Sequence, residues 1–379
     1  MNVQKAAGHE VHMVTADRHL YARDYKETFE HVLGPRIVGS GVQCVEGIWV
    51  HRLECRLAML DRFGRVWLRA LEPTVAEISP DLVIVHGMQS PTAVRMAWLK
   101  ARARSKWKLI CDSHAAEFNS QRQGRSLFYW AYRRVVAGLF SRHADAIVAI
   151  DQWSKEFLVS KCGIPAKRIQ IVALGVDSER FKPEAAARRR LREEWGAGDD
   201  TTVFIYVGKV RRNKGVRLLL EAGVAAARIQ PNIMLVVVGG GDKEYIESLK
   251  AQAGQQPQPQ VRFYPHLQNT EIPAYYSAAD VSVWPLEASI GTLEAQSSGL
   301  PLIVADTPVL LDRIRFGNGA AYRSGDASNL SAKMLDLASK PGLRTEMARK
   351  GRAAAVEVLD WRNITEQFMN CVGKSLRNL

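Results

Sequence analysis

Two lysines, Lys209 and Lys214, bracket a turn that also carries Arg211 and Arg212, and the chain then runs straight into a helical pattern. Cationic side chains beside a helix N-terminus suit an anion, above all a phosphate, because the backbone N–H groups there add partial positive charge. Farther along, Ser289-Ile290-Gly291-Thr292 opens a second helix with Glu294 in its first turn. The amides of Ile290, Gly291 and Thr292 are expected to face a phosphate. Glu294 is suited to accept hydrogen bonds from ribose hydroxyls, and equally to complement the helix dipole. Spacing alone is a weak signal, since pairs of lysines in strand-to-helix turns are common.

A second set of residues sits at strand ends. His114, in ICDSHAAEFN, follows an apolar run. A lone histidine more often makes a structural hydrogen bond, but the carboxyl end of a strand in an open α/β sheet favours a role toward ligand. Glu117 and Asn119 are the nearby alternatives. Phe263-Tyr264-Pro265-His266 follows another strand pattern, at the strand end where a ligand crevice opens in an open α/β sheet. The run Gly239-Gly240-Gly241 is not a G-x-G-x-x-G fingerprint and is read as a close approach of two backbones.

Elements that position these residues follow from periodicity. Val203 to Val207 is apolar and β-branched enough for a buried parallel strand, ended by Gly208. Similar runs cover 234–238, 261–264, 280–283 and 301–304, and, in the first half, 11–15, 82–85, 108–111 and 146–149. Strands alternating with helices predict parallel sheets in an α/β chain. A connector near 172–183 precedes a charged helix over 185–195, which divides the 379 residues in two. The domain expectation is an N-terminal unit over 1–175, a C-terminal unit over 176–355, and a last helix over 356–379 packing back toward the first. The Gln/Pro-rich AGQQPQPQ stretch reads as a surface loop.

Composition narrows the function class. Lys plus Arg is 52 against 39 Asp plus Glu, a net charge of +13. Such a surface attracts anions, and nucleic acid is the weakest candidate because no nucleic-acid motif accompanies the spread-out charge. Arg122, Arg125, Arg133 and Arg134 flank Leu127-Phe128-Tyr129-Trp130, so this segment reads either as a helix lying on an anionic membrane or as a core helix with a basic outer side. Five widely spaced cysteines disfavour a disulfide framework and a zinc-type Cys cluster and suggest a reducing cytosol. No stretch approaches about 18 consecutive apolar residues.

The two loop segments together resemble the donor site of the retaining glycosyltransferases of family 4. Their pattern is strand-GR-x4-KG-x5-EA, then E-x7-E and GLPV. Here it runs from VGKVRRNKGVRLLLEA to LEASIGTLEAQSSGLPLIV. Lys209 replaces the usual Arg, keeping the charge but losing the bidentate fork. Six residues separate Glu287 from Glu294 instead of seven, so the first-Glu position falls on Leu286. The connector IPAKRIQIVALGVDSERFKP is similar too, with Leu174 for the usual Asn, and the likeness extends to the WRNITEQF helix.

The resemblance implies a GT-B fold, two Rossmann-like doubly wound domains facing a cleft. It implies transfer of a sugar from a nucleotide diphosphate sugar to a saccharide or lipid-linked hydroxyl acceptor, in polysaccharide, lipopolysaccharide or glycolipid synthesis. Lys209 and Lys214 would neutralise the departing diphosphate, His114 would lie near the transferred sugar, and Glu287 would touch that sugar. Gly208, Arg212, Tyr264, His266, Ser289, Ile290, Gly291, Thr292 and Glu294 would line the donor. Metal and cofactor are not expected, and the location would be cytoplasmic, with peripheral contact to the inner face of the membrane. Family members begin with a further βα unit before GHEV, so the N-terminal domain is expected to lack it and transfer to be impaired. A sugar-nucleotide epimerase and a nucleotide-binding pseudo-enzyme are the alternative readings.

Overall fold

A computed structural model describes residues 1–19, 21, 25–56, 66–103, 106–115, 125–255 and 260–373. The chain divides into two units, one of Met1–Arg23, Pro35–Leu174 and Arg362–Leu379, the other of Asp24–Gly34 and Gly175–Trp361.

Strands of the first unit are β1 (His12–Ala16), β2 (Gly41–Val45), β3 (Ile48–Leu53), β4 (Cys55–Arg56), β5 (Trp67–Leu68), β6 (Leu82–His86), β7 (Lys108–Ser113), β8 (Ala146–Ala149) and β9 (Ile169–Ile171). Four of them form a parallel sheet in the order β6-β7-β8-β9. Side chains alternate across it. Leu109 and Cys111 enter one core with Phe140 and Leu158, while Ile110 enters another with Ala146 and Val148, which Ile364 of the helix Trp361–Asn370 covers. β1 pairs in parallel with β3.

The sequence pattern did not mark β2, which runs antiparallel to β3. The connection Glu46-Gly47 has φ of 50° and 75°, the left-handed pair of a tight hairpin whose twist matches its strands. The short crossover that a parallel reading needs is simply not available in two residues.

The second unit holds β10 (Thr202–Val207), β11 (Ile233–Val238), β12 (Gln260–Tyr264), β13 (Val281–Trp284), β14 (Leu302–Ala305) and β15 (Gly319–Tyr322). All six are parallel, in the order β12-β11-β10-β13-β14-β15. β10, β11, β13 and β14 are buried along their whole length, as strands covered on both faces must be. Strand order reverses between β10 and β13. In such a doubly wound sheet the ligand crevice lies at the carboxyl ends of the strands flanking that switch point.

Candidate functional site

The loops after β10 and β13 meet at the switch point. Residues 208–210, after β10, are stitched to the turn after β11: the Val210 N–H donates to the Gly240 carbonyl at 2.9 Å. A Cβ on Gly239 would fall 1.9 Å from the Gly208 oxygen, and one on Gly241 would fall 2.1 Å from that of Val210. The three glycines are therefore the close backbone approach expected of them. The Tyr206 hydroxyl donates to the Lys209 carbonyl at 2.9 Å, arching over Gly208.

A single 3-10 turn, Arg212–Lys214, then leads through Gly215 into the helix Val216–Ala227. Gly215 has φ +74°, and a Cβ there would lie 2.7 Å from Leu286 and 2.9 Å from Pro285, in the loop after β13. The Tyr322 hydroxyl donates to the Pro285 carbonyl and anchors that loop. Close packing at Gly215 brings the Lys214 ammonium to 2.9 Å from the Glu287 carboxylate. Asn213 Nδ2 donates to both oxygens of Glu287, at 3.0 and 3.1 Å. Glu287 thus faces the basic turn even though the register puts Leu286 at the first-Glu position.

Lys209 is approached by residues from far away in the chain. Its ammonium lies 5.3 Å from the centroid of the Phe29 ring. Phe29 also packs edge-on against His266 at 5.3 Å, and the His31 ring N–H donates to the His266 carbonyl at 3.3 Å. Burial, then His31 and Lys209, push the His266 imidazole below its ordinary titration range. Arg212 points elsewhere, its guanidinium 5.0 Å over Tyr245.

Two expectations change in the structure. The Gly291 N–H donates to Ser289 Oγ and the Thr292 N–H to the Ser289 carbonyl, each at 3.2 Å. Those amides are engaged within their own turn, the serine acting as a local cap. Tyr264 is likewise committed. Its hydroxyl accepts from Trp195 Nε1 at 2.7 Å, its carbonyl accepts from the Gly239 N–H at 3.0 Å, and its ring meets Tyr275 at 4.9 Å.

Glu294 lies where expected, in the first turn of the helix Gly291–Ser297. Burial pushes its carboxyl up to about 7, with Arg180 pulling the other way. Among the described residues no side chain donates a hydrogen bond to it. A buried carboxyl to which no described side chain donates is suited to hydroxyl donors from a ligand.

In the first unit, His86 ends β6 and stands in register with Asp112 on β7. His86 Nδ1 donates to Asp112 Oδ2 at 2.5 Å, the Gly87 N–H donates to Oδ1 at 3.0 Å, and His114 Nε2 lies 3.7 Å from Oδ2. Burial would raise the Asp112 carboxyl, but His114 and His86 outweigh it and hold the group below the usual carboxylate range. The same hydrogen bond raises His86. His86 and Asp112 were missed in the sequence, although LVIVH ends a strand just as the run before His114 does. Glu117 and Asn119 lie outside the described residues.

The basic aromatic segment forms the helix Arg125–Ala131, a π turn Tyr132–Val136 and the helix Ala137–His143. Phe128, Tyr129 and Tyr132 pack into the core, while Trp130 (58% exposed) and Val135 (77% exposed) face outward. The Arg134 guanidinium covers the Trp130 ring at 5.4 Å. Arg122 lies outside the described residues. Among the described residues no helix is long and apolar enough to cross a membrane.

Comparison with known proteins bears on the family and the fold. The family described as Glycosyltransferase Family 4 matches residues 2–180, and Glycosyl transferases group 1 matches residues 187–354. A relative is the GDP-mannose-dependent alpha-(1-6)-phosphatidylinositol monomannoside mannosyltransferase of Mycolicibacterium smegmatis. It is 26% identical over 308 residues, which span 77% of this chain and 78% of the relative. The D-inositol 3-phosphate glycosyltransferase of Xylanimonas cellulosilytica is 30% identical over 226 residues, 56% of this chain and 53% of the relative. Among solved structures, Anabaena HepE in complex with UDP has a TM-score of 0.71 at 17% identity, covering 98% of this chain and 100% of its own. Sucrose-phosphate synthase from Thermosynechococcus elongatus has a TM-score of 0.70 at 19% identity, covering 97% of this chain and 89% of its own. The shared architecture is the GT-B fold.

Proposed function

The chain belongs to the group 1, family 4 glycosyltransferases, and on that premise we propose that it transfers a sugar, with retention, from a nucleoside diphosphate sugar to the hydroxyl of a saccharide or lipid-linked acceptor. It is an enzyme, a nucleotide-sugar glycosyltransferase. The reading of its site is carried by one observation: Gly215 packs on Pro285 and Leu286 at the switch point, which sets Lys214 against Glu287.

In this reading the diphosphate lies against Lys209 and Lys214. Their charge opposes the negative charge that grows on the leaving group in the transition state, where fixed cations are most effective. Two lysines supply that charge without calling on a metal. Glu287 positions the Lys214 ammonium and presents its exposed edge to sugar hydroxyls. Glu294 accepts from the ribose. The acceptor hydroxyl attacks from the face that the diphosphate leaves, and its proton passes to that leaving group. His114 is assigned a role in transfer on the likeness of its segment, ICDSHAAEFN, to the family's active-site histidine segment. GDP-linked donors, as named for the mannosyltransferase relative, and UDP-linked ones, as in the HepE complex, are the ones to test. The outward face of Trp130, Arg134 and Val135 rests on an anionic membrane, where a lipid-linked acceptor is presented.

The test is calorimetry with UDP and with GDP in EDTA, followed by transfer assays with the matching sugars. Binding that Lys214→Ala leaves unchanged would refute this placement of the diphosphate.

A further inference from the structure

We infer that His86, Asp112 and His114 form a binding site for one divalent transition cation of the zinc class. Two imidazoles and a carboxylate are the ligand set that such borderline ions prefer. One ligand atom from each residue lies within 4.8 Å of the others. The scaffold is rigid, because His86 and Asp112 occupy paired positions on adjacent parallel strands and His114 follows two residues later.

Asp112 is already arranged as a ligand. Its side chain is 5% exposed and the Gly87 N–H fixes Oδ1, so Oδ2 is the oxygen presented to both rings. That N–H would serve as the outer-shell contact that orients a ligating carboxylate. His114 Nε2 sits 3.7 Å from Oδ2. Two ligands about 2.0–2.1 Å from a tetrahedral ion stand about 3.4 Å apart, so this pair needs little movement. The 2.5 Å contact from His86 to Oδ2 is a hydrogen bond. A cation replaces the shared proton, and the His86 ring, 75% exposed, swings out by about 1 Å. Binding therefore releases a proton and weakens on acidification. Three protein ligands at an exposed edge leave a fourth position for water.

A bound cation also occupies His114 Nε2. That consequence, inhibition of transfer, rests on the role proposed above for His114; the binding itself does not.

Protein stripped with a chelator is incubated with zinc or cobalt, desalted and assayed for metal per chain, with a thermal melt as the folding control. About one cation per chain is expected. Affinity should fall at least about tenfold in His86→Ala and in Asp112→Asn, and the cobalt spectrum should lack a sulfur charge-transfer band. No retained cation, retention unaffected by His86→Ala, or a sulfur band placing the metal on a cysteine would each overturn the inference. UDP calorimetry on the same samples keeps the two proposals separate, because donor binding in the second unit does not depend on these three residues.

Discussion

The Lys214 ammonium and the Glu287 carboxylate form a 2.9 Å ion pair between the loops that follow β10 and β13. The lysine side chain is 19% exposed and the glutamate 41%. Lys214 is thus held in place by the protein itself, and under the proposed function an incoming diphosphate would meet a cation whose position is already set.

Removing that cation should weaken nucleotide binding. Lys214→Ala is expected to cost about 1.5–3 kcal/mol of UDP or GDP affinity in EDTA, the range for a hydrogen bond to a charged group. Glu287→Gln should behave differently. It removes an anion that competes for Lys214, so nucleotide affinity holds or rises while turnover falls. Calorimetry and initial rates on the two variants check this, and a strict requirement for added Mg2+ or Mn2+ would contradict it.

Gly215 is the hinge of the same contact. Gly215→Ala puts a side chain into a left-handed backbone, φ +74°, and into Leu286 and Pro285. The expected loss is about 1–3 kcal/mol of stability in the second unit, together with weaker UDP binding. Leu286→Ala in the same chain should recover part of the loss by removing the nearest atoms. Urea titration of the single and double variants reads the coupling, and simple additivity would show that Leu286 is not what Gly215 accommodates.

Much of the second unit was readable in advance and its site only partly so. β10, β11, β13 and β14 are continuous apolar, β-branched runs, and burial on both faces leaves no other use for such runs. β2 was overlooked because all five of its residues are exposed and no apolar alternation marks it. Its signal was the two-residue turn between Val45 and Ile48. The lysine turn and Glu294 are local features, and periodicity locates them. The approach of Lys214 to Glu287 is not local, since it depends on the packing of Leu286 against Gly215. Phe29 reaches Lys209 from the other end of the sequence, which no spacing rule shows. Ser289 was the opposite case, for a serine two and three residues before the amides in question is a known competitor for them.

If Glu294 accepts from the donor ribose as proposed, it gives a pH dependence with opposite signs for folding and for binding. Its carboxyl is raised from 4.5 to about 7. The native state therefore favours the proton, and this contribution to stability is fully present below about pH 4.5 and lost as pH rises through 7. The total is about 3 kcal/mol at most, at 1.36 kcal/mol per unit. Ribose hydroxyls donate to the ionised form, so affinity for a UDP-sugar should rise over the same window. Glu294→Gln should flatten both trends. Denaturation and calorimetry between pH 5 and 8 compare them, and an unchanged binding slope in the variant would remove Glu294 from the donor site.

The outward side of the basic aromatic segment predicts attachment to anionic lipid. Phe128, Tyr129 and Tyr132 are spent on the core, so the membrane face reduces to Trp130, Arg134 and Val135, with Arg133 beside them. That face is small, and attraction is carried mainly by charge, each cation contributing on the order of 1 kcal/mol near such a surface. Co-sedimentation should be strong with vesicles rich in phosphatidylserine, weak with neutral ones and reduced by salt. Changing Arg133 and Arg134 to Glu should abolish it without altering the thermal melt, because both side chains are exposed. Trp130 fluorescence should shift to the blue on binding in the parent chain alone. Equal sedimentation with neutral and anionic vesicles, or no effect of the double change, would show that the segment serves only the core.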